Sequence, residues 1–200
     1  MEAEYWNQQR PVIGTDEVGR GCLAGPVVAC AVMLDPTRIV EAKDSKQLSE
    51  RQRKALCTQI ERYTDYCVAS RSPQFIDKHN ILHASLDAMK EAVERLVEKK
   101  GVRNPIILVD GNRPIPDLNY EQRTVVKGDQ RSTTIAAASI VAKVYRDDYM
   151  ILLDRITGKK YNYTNNKGYG TKKHYDALST HGSSDRHRST FRLEGGYNKS

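Results

Sequence analysis

Residues 12–34 read VIGTDEVGRGCLAGPVVACAVML. Val12 to Thr15 is a short extended segment that leads into Asp16 and Glu17. Gly19, Gly21 and Gly25 follow, and then PVVACAVML, whose length and β-branched content predict a buried strand over 26–34. The stretch therefore predicts two strands joined by a glycine-rich connection. It also puts two acids in an apolar setting, where a carboxylate is costly unless it has partners.

Working outward, Ser49 opens an S-x-x-Q capping box with Gln52, and Ala55, Leu56 and Ile60 continue at helical spacing. Asp65 to Ser70 reads as a third strand. Ser72-Pro73 opens a short helix, with proline at its favoured first position. A longer helix over about 80–99 carries the apolar stripe Leu82, Leu86, Met89, Val93, Leu96 and Val97, and Gly101 stops it. Pro105 to Val109 is a fourth strand ending at Asp110, and Thr124 to Val126 a fifth ending at Lys127-Gly128-Asp129. Ser132 opens a long helix whose Ala136, Ala137, Ala138 and Ser139 are small enough to lie close on a sheet. Thr171 caps a last short helix stopped by Gly182. This order predicts an α/β fold, a mixed sheet covered by helices, in one domain over residues 1–200.

Composition narrows the function classes. The chain has 200 residues, 38% hydrophobic and 28% charged, enough for one packed core. Its longest apolar run, Val27 to Leu34, falls far short of the ~20 residues that span a bilayer. The opening MEAEYWNQQR lacks the basic and apolar parts of a signal peptide. A cytoplasmic protein without membrane attachment is expected. Cys22, Cys30, Cys57 and Cys67 form no C-x-x-C pair and read as reduced thiols, not as a zinc site. The net charge is +7, and residues 158–200 hold nine Lys/Arg against three Asp/Glu. The same segment holds Tyr161, Tyr163, Tyr169, Tyr175 and Tyr197 and three histidines. Basic groups attract phosphates and tyrosines stack on bases, so composition points to nucleic acid as readily as to a solvated basic tail.

Three segments end at acids: Asp16/Glu17, Asp110 and Asp129. Carboxylates at strand ends can converge across a sheet, and a converged set repels itself unless protons or cations neutralise it. Hard oxygen ligands suit Mg²⁺ or Mn²⁺, and two such ions can activate water and stabilise a leaving alkoxide at a phosphodiester. Read one at a time, Asp110-Gly111 is equally a plain turn and Asp129 a surface turn residue. Asp16 and Glu17 are neighbours, which a regular strand points to opposite faces, so a shared site requires the strand to end or bulge there. Gly19-Arg20-Gly21 is either a backbone approach to a ligand or a tight connection.

The segment TDEVGRGCLAGPVVACAV resembles the N-terminal signature of ribonuclease HII, the type 2 ribonuclease H family. The resemblance continues in order through KDSKQLS (43–49), NILHAS (80–85), LVDGN (108–112), VVKGD (125–129), AAASIVAKVYRD (136–147), NKGYGTKKH (166–174) and HRSTF (187–191). It implies a ribonuclease H-like fold with a small C-terminal helical and loop segment. It implies an endoribonuclease acting on the RNA strand of RNA–DNA hybrids and on single ribonucleotides embedded in duplex DNA, leaving 5′-phosphate and 3′-hydroxyl ends. Asp16, Glu17, Asp110 and Asp129 fall on the family's acidic, metal-binding quartet, with two divalent ions, Mn²⁺ or Mg²⁺, in the catalytic complex. Gly19, Arg20 and Gly21 match the segment that senses the ribose 2′-hydroxyl, and Tyr169 the tyrosine that packs on the sugar beyond the scissile junction. Ser45 and Lys46 match a contact to substrate phosphate.

Such a site is physically sensible, because telling RNA from DNA at one position means detecting one hydroxyl. Asp147 and Asp148 form an additional acidic pair on the long helix, read as solvent-facing or salt-bridging more readily than as metal ligands. His174, His181 and His187 read as structural or phosphate-proximal, and Trp6 as packing. A ribonuclease HIII-like enzyme and a non-catalytic hybrid binder are the alternatives. The first would bring an additional N-terminal domain, and the second would not need all four acids. A monomer is expected from the size.

Overall fold

The computed structural model describes residues 1–37 and 48–193. In chain order the elements are α1 (Ala3–Trp6), β1 (Val12–Val18), β2 (Val27–Met33), α2 (Glu50–Tyr63), β3 (Asp65–Arg71), α3 (Pro73–His79) and α4 (Ile81–Lys100). They continue with β4 (Ile106–Asp110), β5 (Glu121–Val125), α5 (Gly128–Arg131), α6 (Thr133–Ile156), α7 (Tyr163–Asn166) and α8 (Lys172–His181). The strands form one sheet in the order β3-β2-β1-β4-β5. β1–β2 and β2–β3 pair antiparallel, while β1–β4 and β4–β5 pair parallel, so the sheet is mixed, as expected from the order of elements.

The inner strands β1, β2 and β4 bury both faces by alternation, while the edge strand β5 is largely exposed. Val28, Cys30 and Val32 of β2 pack with Cys57 and Ile60 of α2 and with Ala136–Ala138, Ile140 and Val141 of α6. Ala29 and Ala31 of the same strand face Ala88, Met89, Ala92, Val93 and Leu96 of α4. The small residues of α6 let it lie directly on β1: a Cβ on Gly14 would come within 2.4 Å of the Thr134 carbonyl carbon. The caps follow the local chemistry. Gln52 N donates to Ser49 Oγ at 3.3 Å and Ser49 N to Gln52 Oε1 at 3.0 Å, which completes the predicted capping box. Ser132 Oγ accepts from Ile135 N at the start of α6.

Two local expectations are corrected. β1 does not stop at Thr15 but runs to Val18, with Asp16 paired to Cys30 and Glu17 to Ala29. β5 spans Glu121–Val125 in place of Thr124–Val126, and Asp129 lies not in a strand-end turn but on α5. The basic C-terminal section packs as a third layer around Leu23, Ala24, Met150, Leu153, Tyr161, Tyr163 and Leu178. Tyr161 and Tyr163 are therefore core residues, not the base-stacking surface that composition suggested, and Tyr197 lies outside the described residues. No helix among the described residues is long and apolar enough to cross a membrane.

Candidate active site

A cleft of about 350 Å³ opens at the end of the sheet where β1 and β4 finish. It is lined by Asp16, Glu17, Val18, Gly19, Arg20, Gly21, Arg53, Asp110, Asp129, Ser139, Lys143 and Tyr169. All four expected acids share it although they come from β1, β4 and α5. Asp16 and Asp110 have the strand parity of the residues that face α6, and Ser139 on α6 hydrogen-bonds the Asp16 carboxylate. Glu17 has the opposite parity in a regular strand. It reaches the same cleft because β4 ends at Asp110, one position before it would run beside Glu17. The shared site thus needs neither a bulge nor the end of β1, only the shorter neighbour.

Burial, together with the carboxylates of Glu17 and Asp110, holds the Asp16 carboxyl well above the ordinary range. Burial also raises Glu17, and the Arg20 guanidinium, which donates to Glu17 Oε1 at 3.1 Å, works against that. Asp16 Oδ1 accepts from Glu17 N at 2.7 Å, and Asp110 Oδ1 from Gly128 N at 2.7 Å. Among the described residues, no three His, Cys, Asp or Glu side chains stand close enough together to hold a metal ion as they are turned here. The donor set itself fits a hard divalent cation, since four carboxylates and no thiol or imidazole line the cleft.

Three polar lining residues were not assigned to the site from the sequence: Arg53, Lys143, and Ser139, which was read only as a small packing residue. Ser139, Lys143 and Asp147 recur every four residues on α6, a spacing that marks one helix face. Lys143 Nζ donates to the buried Asp147 at 2.8 Å and stands 5.7 Å from the Tyr169 ring centre. Asp148 is exposed and pairs with Lys54 at 2.7 Å, so both acids of that pair take salt-bridging positions.

Tyr169 keeps 39% of its surface exposed at the cleft, and burial of its phenol raises it to about 12, so it is a neutral donor. Its backbone forms an isolated antiparallel bridge to Cys22. A buried histidine pair holds it from behind. Ser184 N donates to His187 Nδ1 at 3.0 Å, which leaves the proton of a neutral His187 on Nε2. That nitrogen meets His174 Nε2 at 3.1 Å, and His174 Nδ1 then donates to the Tyr169 carbonyl at 2.9 Å. Ser45 and Lys46 lie outside the described residues.

A model of the family described as Ribonuclease HII matches residues 13–194. This chain belongs to the ribonuclease HII family. A ribonuclease HII of Bacteroides fragilis is 49% identical over 199 residues, covering 98% of this chain and 96% of its own. The crystal structure of the ribonuclease H2 from Pyrococcus horikoshii OT3 superposes with a TM-score of 0.73 at 27% identity, over 92% of this chain and 94% of that one. Bst-RNase HIII, in a crystal structure with Mn²⁺, gives a TM-score of 0.78 at 19% identity over 92% of this chain and 68% of its own, a likeness of fold. The fold is ribonuclease H-like. As a ribonuclease HII the chain is an endonuclease that hydrolyses the RNA strand of RNA–DNA hybrids.

Proposed function

We propose that this ribonuclease HII incises 5′ to single ribonucleotides in duplex DNA as well as within longer hybrids, with Asp16, Glu17, Asp110 and Asp129 holding two divalent ions, Mg²⁺ or Mn²⁺. The observation that carries this reading is the convergence of those four carboxylates from three elements on one cleft. Such ions, when bound, generate a hydroxide near neutral pH and stabilise the leaving alkoxide, giving 5′-phosphate and 3′-hydroxyl ends. The acids must ionise and turn inward to accept them. Burial first, and then repulsion from Glu17 and Asp110, raise Asp16, and a cation among these carboxylates would offset both.

The remaining lining residues divide the substrate between them. Gly19, Arg20 and Gly21 present backbone to the ribose 2′-hydroxyl. Tyr169 packs on the next sugar, where an added 2′-hydroxyl is disfavoured, which produces a preference for the RNA–DNA junction. Lys143, fixed by Asp147, offers a positive charge to the phosphate. Ser45 and Lys46 add a phosphate contact, and the basic section over about 158–200 tracks the duplex. The working form is a monomeric single domain in the cytoplasm.

The test is a duplex carrying one ribonucleotide, incubated with Mg²⁺ or Mn²⁺ and resolved at single-nucleotide length. A single nick 5′ to the ribonucleotide is expected, and Asp110→Asn abolishes it while leaving duplex affinity largely intact. An Asp110→Asn protein that nicks at the parent rate removes Asp110 from the mechanism.

A further inference from the structure

Arg188, on the segment after α8, is among the largest side chains that the fold buries completely. Among the described residues its guanidinium donates only to main-chain carbonyls. Nε reaches Gly25 O at 3.1 Å, Nη1 reaches Arg20 O at 2.7 Å, and Nη2 reaches Gly19 O at 2.7 Å and Gly25 O at 2.9 Å. Burial lowers the group to about 10, so it stays charged at neutral pH. Its segment is fastened to α3 by Asp77. Asp77 Oδ2 accepts from Ser189 N at 2.8 Å and Oγ at 2.9 Å, and Oδ1 accepts from Thr190 N at 3.0 Å and Oγ1 at 2.7 Å.

The consequence follows from peptide planarity. In a trans peptide unit the carbonyl of one residue and the N–H of the next point in opposite directions. Arg188 draws the Gly19 and Arg20 carbonyls toward the interior, so the Arg20 and Gly21 N–H groups face the other way. Gly19, Arg20 and Gly21 line the cleft, which makes it the open side available to those two N–H groups. Neither N–H donates a hydrogen bond among the described residues.

We infer that Arg188 is a positioning residue for ribose selection, setting the Arg20 and Gly21 N–H groups as a fixed donor pair for the 2′-hydroxyl oxygen. The inference rests on the reading of residues 19–21 as the ribose sensor. A planar fork with five donors can hold carbonyls that diverge from one another, whereas a lysine keeps the charge on a single nitrogen and cannot span Gly19, Arg20 and Gly25 together. Loss of the fork frees the two peptide planes to rotate, and the donor pair is lost without any change at the carboxylates.

The experiment uses the full chain carrying Asp110→Asn, so that the strand stays whole. Affinity is measured for a duplex with one ribonucleotide and for the same duplex in all-DNA form, with and without Arg188→Lys. Hydrogen exchange of residues 19–26 is followed alongside. Arg188→Lys is expected to lower affinity for the ribonucleotide duplex about tenfold, the scale of one or two neutral hydrogen bonds lost to the 2′-hydroxyl, and leave all-DNA affinity within about twofold. Exchange speeds up in 19–26 and not in β1 or β4. An affinity ratio that survives Arg188→Lys, or two affinities that fall together, overturns the inference. A parent that shows no preference for the ribonucleotide duplex overturns the sensor reading itself. If Arg188→Lys does not fold, Asp77→Asn loosens the same segment from outside. A smaller fall in the same ratio supports the inference, and an unchanged ratio overturns it.

Discussion

Two glycines that differ by two positions in one loop are expected to respond oppositely to a single added methyl group. Gly19 has φ +93°, and a Cβ there would lie 2.1 Å from Arg146 Nε and 2.7 Å from its Cδ. Arg146 is fully buried and has no room to yield. Its guanidinium donates to Pro26 O at 2.9 Å, Lys167 O at 2.8 Å and Ala24 O at 3.1 Å. Gly19→Ala therefore combines left-handed backbone strain of about 1–2 kcal/mol with overpacking of about 1–3 kcal/mol. The sum is about 2–5 kcal/mol, which at about 2–4 °C per kcal/mol for a chain of this size lowers the melting temperature by about 4–20 °C. At Gly21 an added Cβ meets nothing within 4 Å, and the backbone is not left-handed. Gly21→Ala should then melt within about 1 °C of the parent, a surface change away from strained features. Gly21 lines the cleft, so the effect of the added methyl is expected as weaker cleavage of the single-ribonucleotide duplex. Thermal unfolding by circular dichroism and a cleavage time course on both variants decide the matter. A Gly19→Ala protein as stable as the parent would show that the Arg146 contact does not confine the loop. A Gly21→Ala protein destabilised as much as Gly19→Ala would show that the loop is constrained at a place where the structure leaves it open.

The other expectations concern substrate, acid and salt. Tyr169→Ala should lower turnover and spread cleavage over neighbouring positions of a junction substrate, and a cleavage map identical to the parent's would deny Tyr169 its sugar contact. Burial, and to a smaller extent His174, holds His187 down at about 4, below the ordinary imidazole value. Its neutral form therefore contributes stability that is fully present above about pH 6.5 and is lost as pH falls toward about 4. A melting temperature recorded across that range should fall on acidification, and His187→Asn should flatten the fall. An equal slope in both proteins would place the acid sensitivity elsewhere. Duplex affinity should drop steeply between about 50 and 200 mM salt if the basic C-terminal section neutralises phosphates, and a flat response would make that charge incidental.

Much of this protein is legible from local pattern. Ser49, Ser72, Ser132 and Thr171 each cap the helix their spacing announces, because a capping bond closes over three residues and needs no distant partner. The strands β2 and β4 announce themselves as apolar runs for the same local reason. The acids were found as punctuation after such runs, and the ordered blocks supplied the family. The errors lie where a neighbour decides. β1 continues past Asp16 because β2 still pairs with it, and that partner is not written in residues 12–18.

What the amino-acid order determined alone is the succession of the five strands and the longer helices, the four candidate carboxylates and the basic bias of the last fifth. Tertiary structure decided which of those groups meet. Tyr161 and Tyr163 could have been stacking surface, and they became core because the C-terminal layer closed over them. Lys143 entered the cleft because α6 lies flat on β1. Arg188 found the carbonyl of Gly19 across 169 positions of sequence. Propensity and capping act over a few residues, whereas a buried guanidinium is stable only where folding assembles enough acceptors around it, and that assembly exists only in three dimensions.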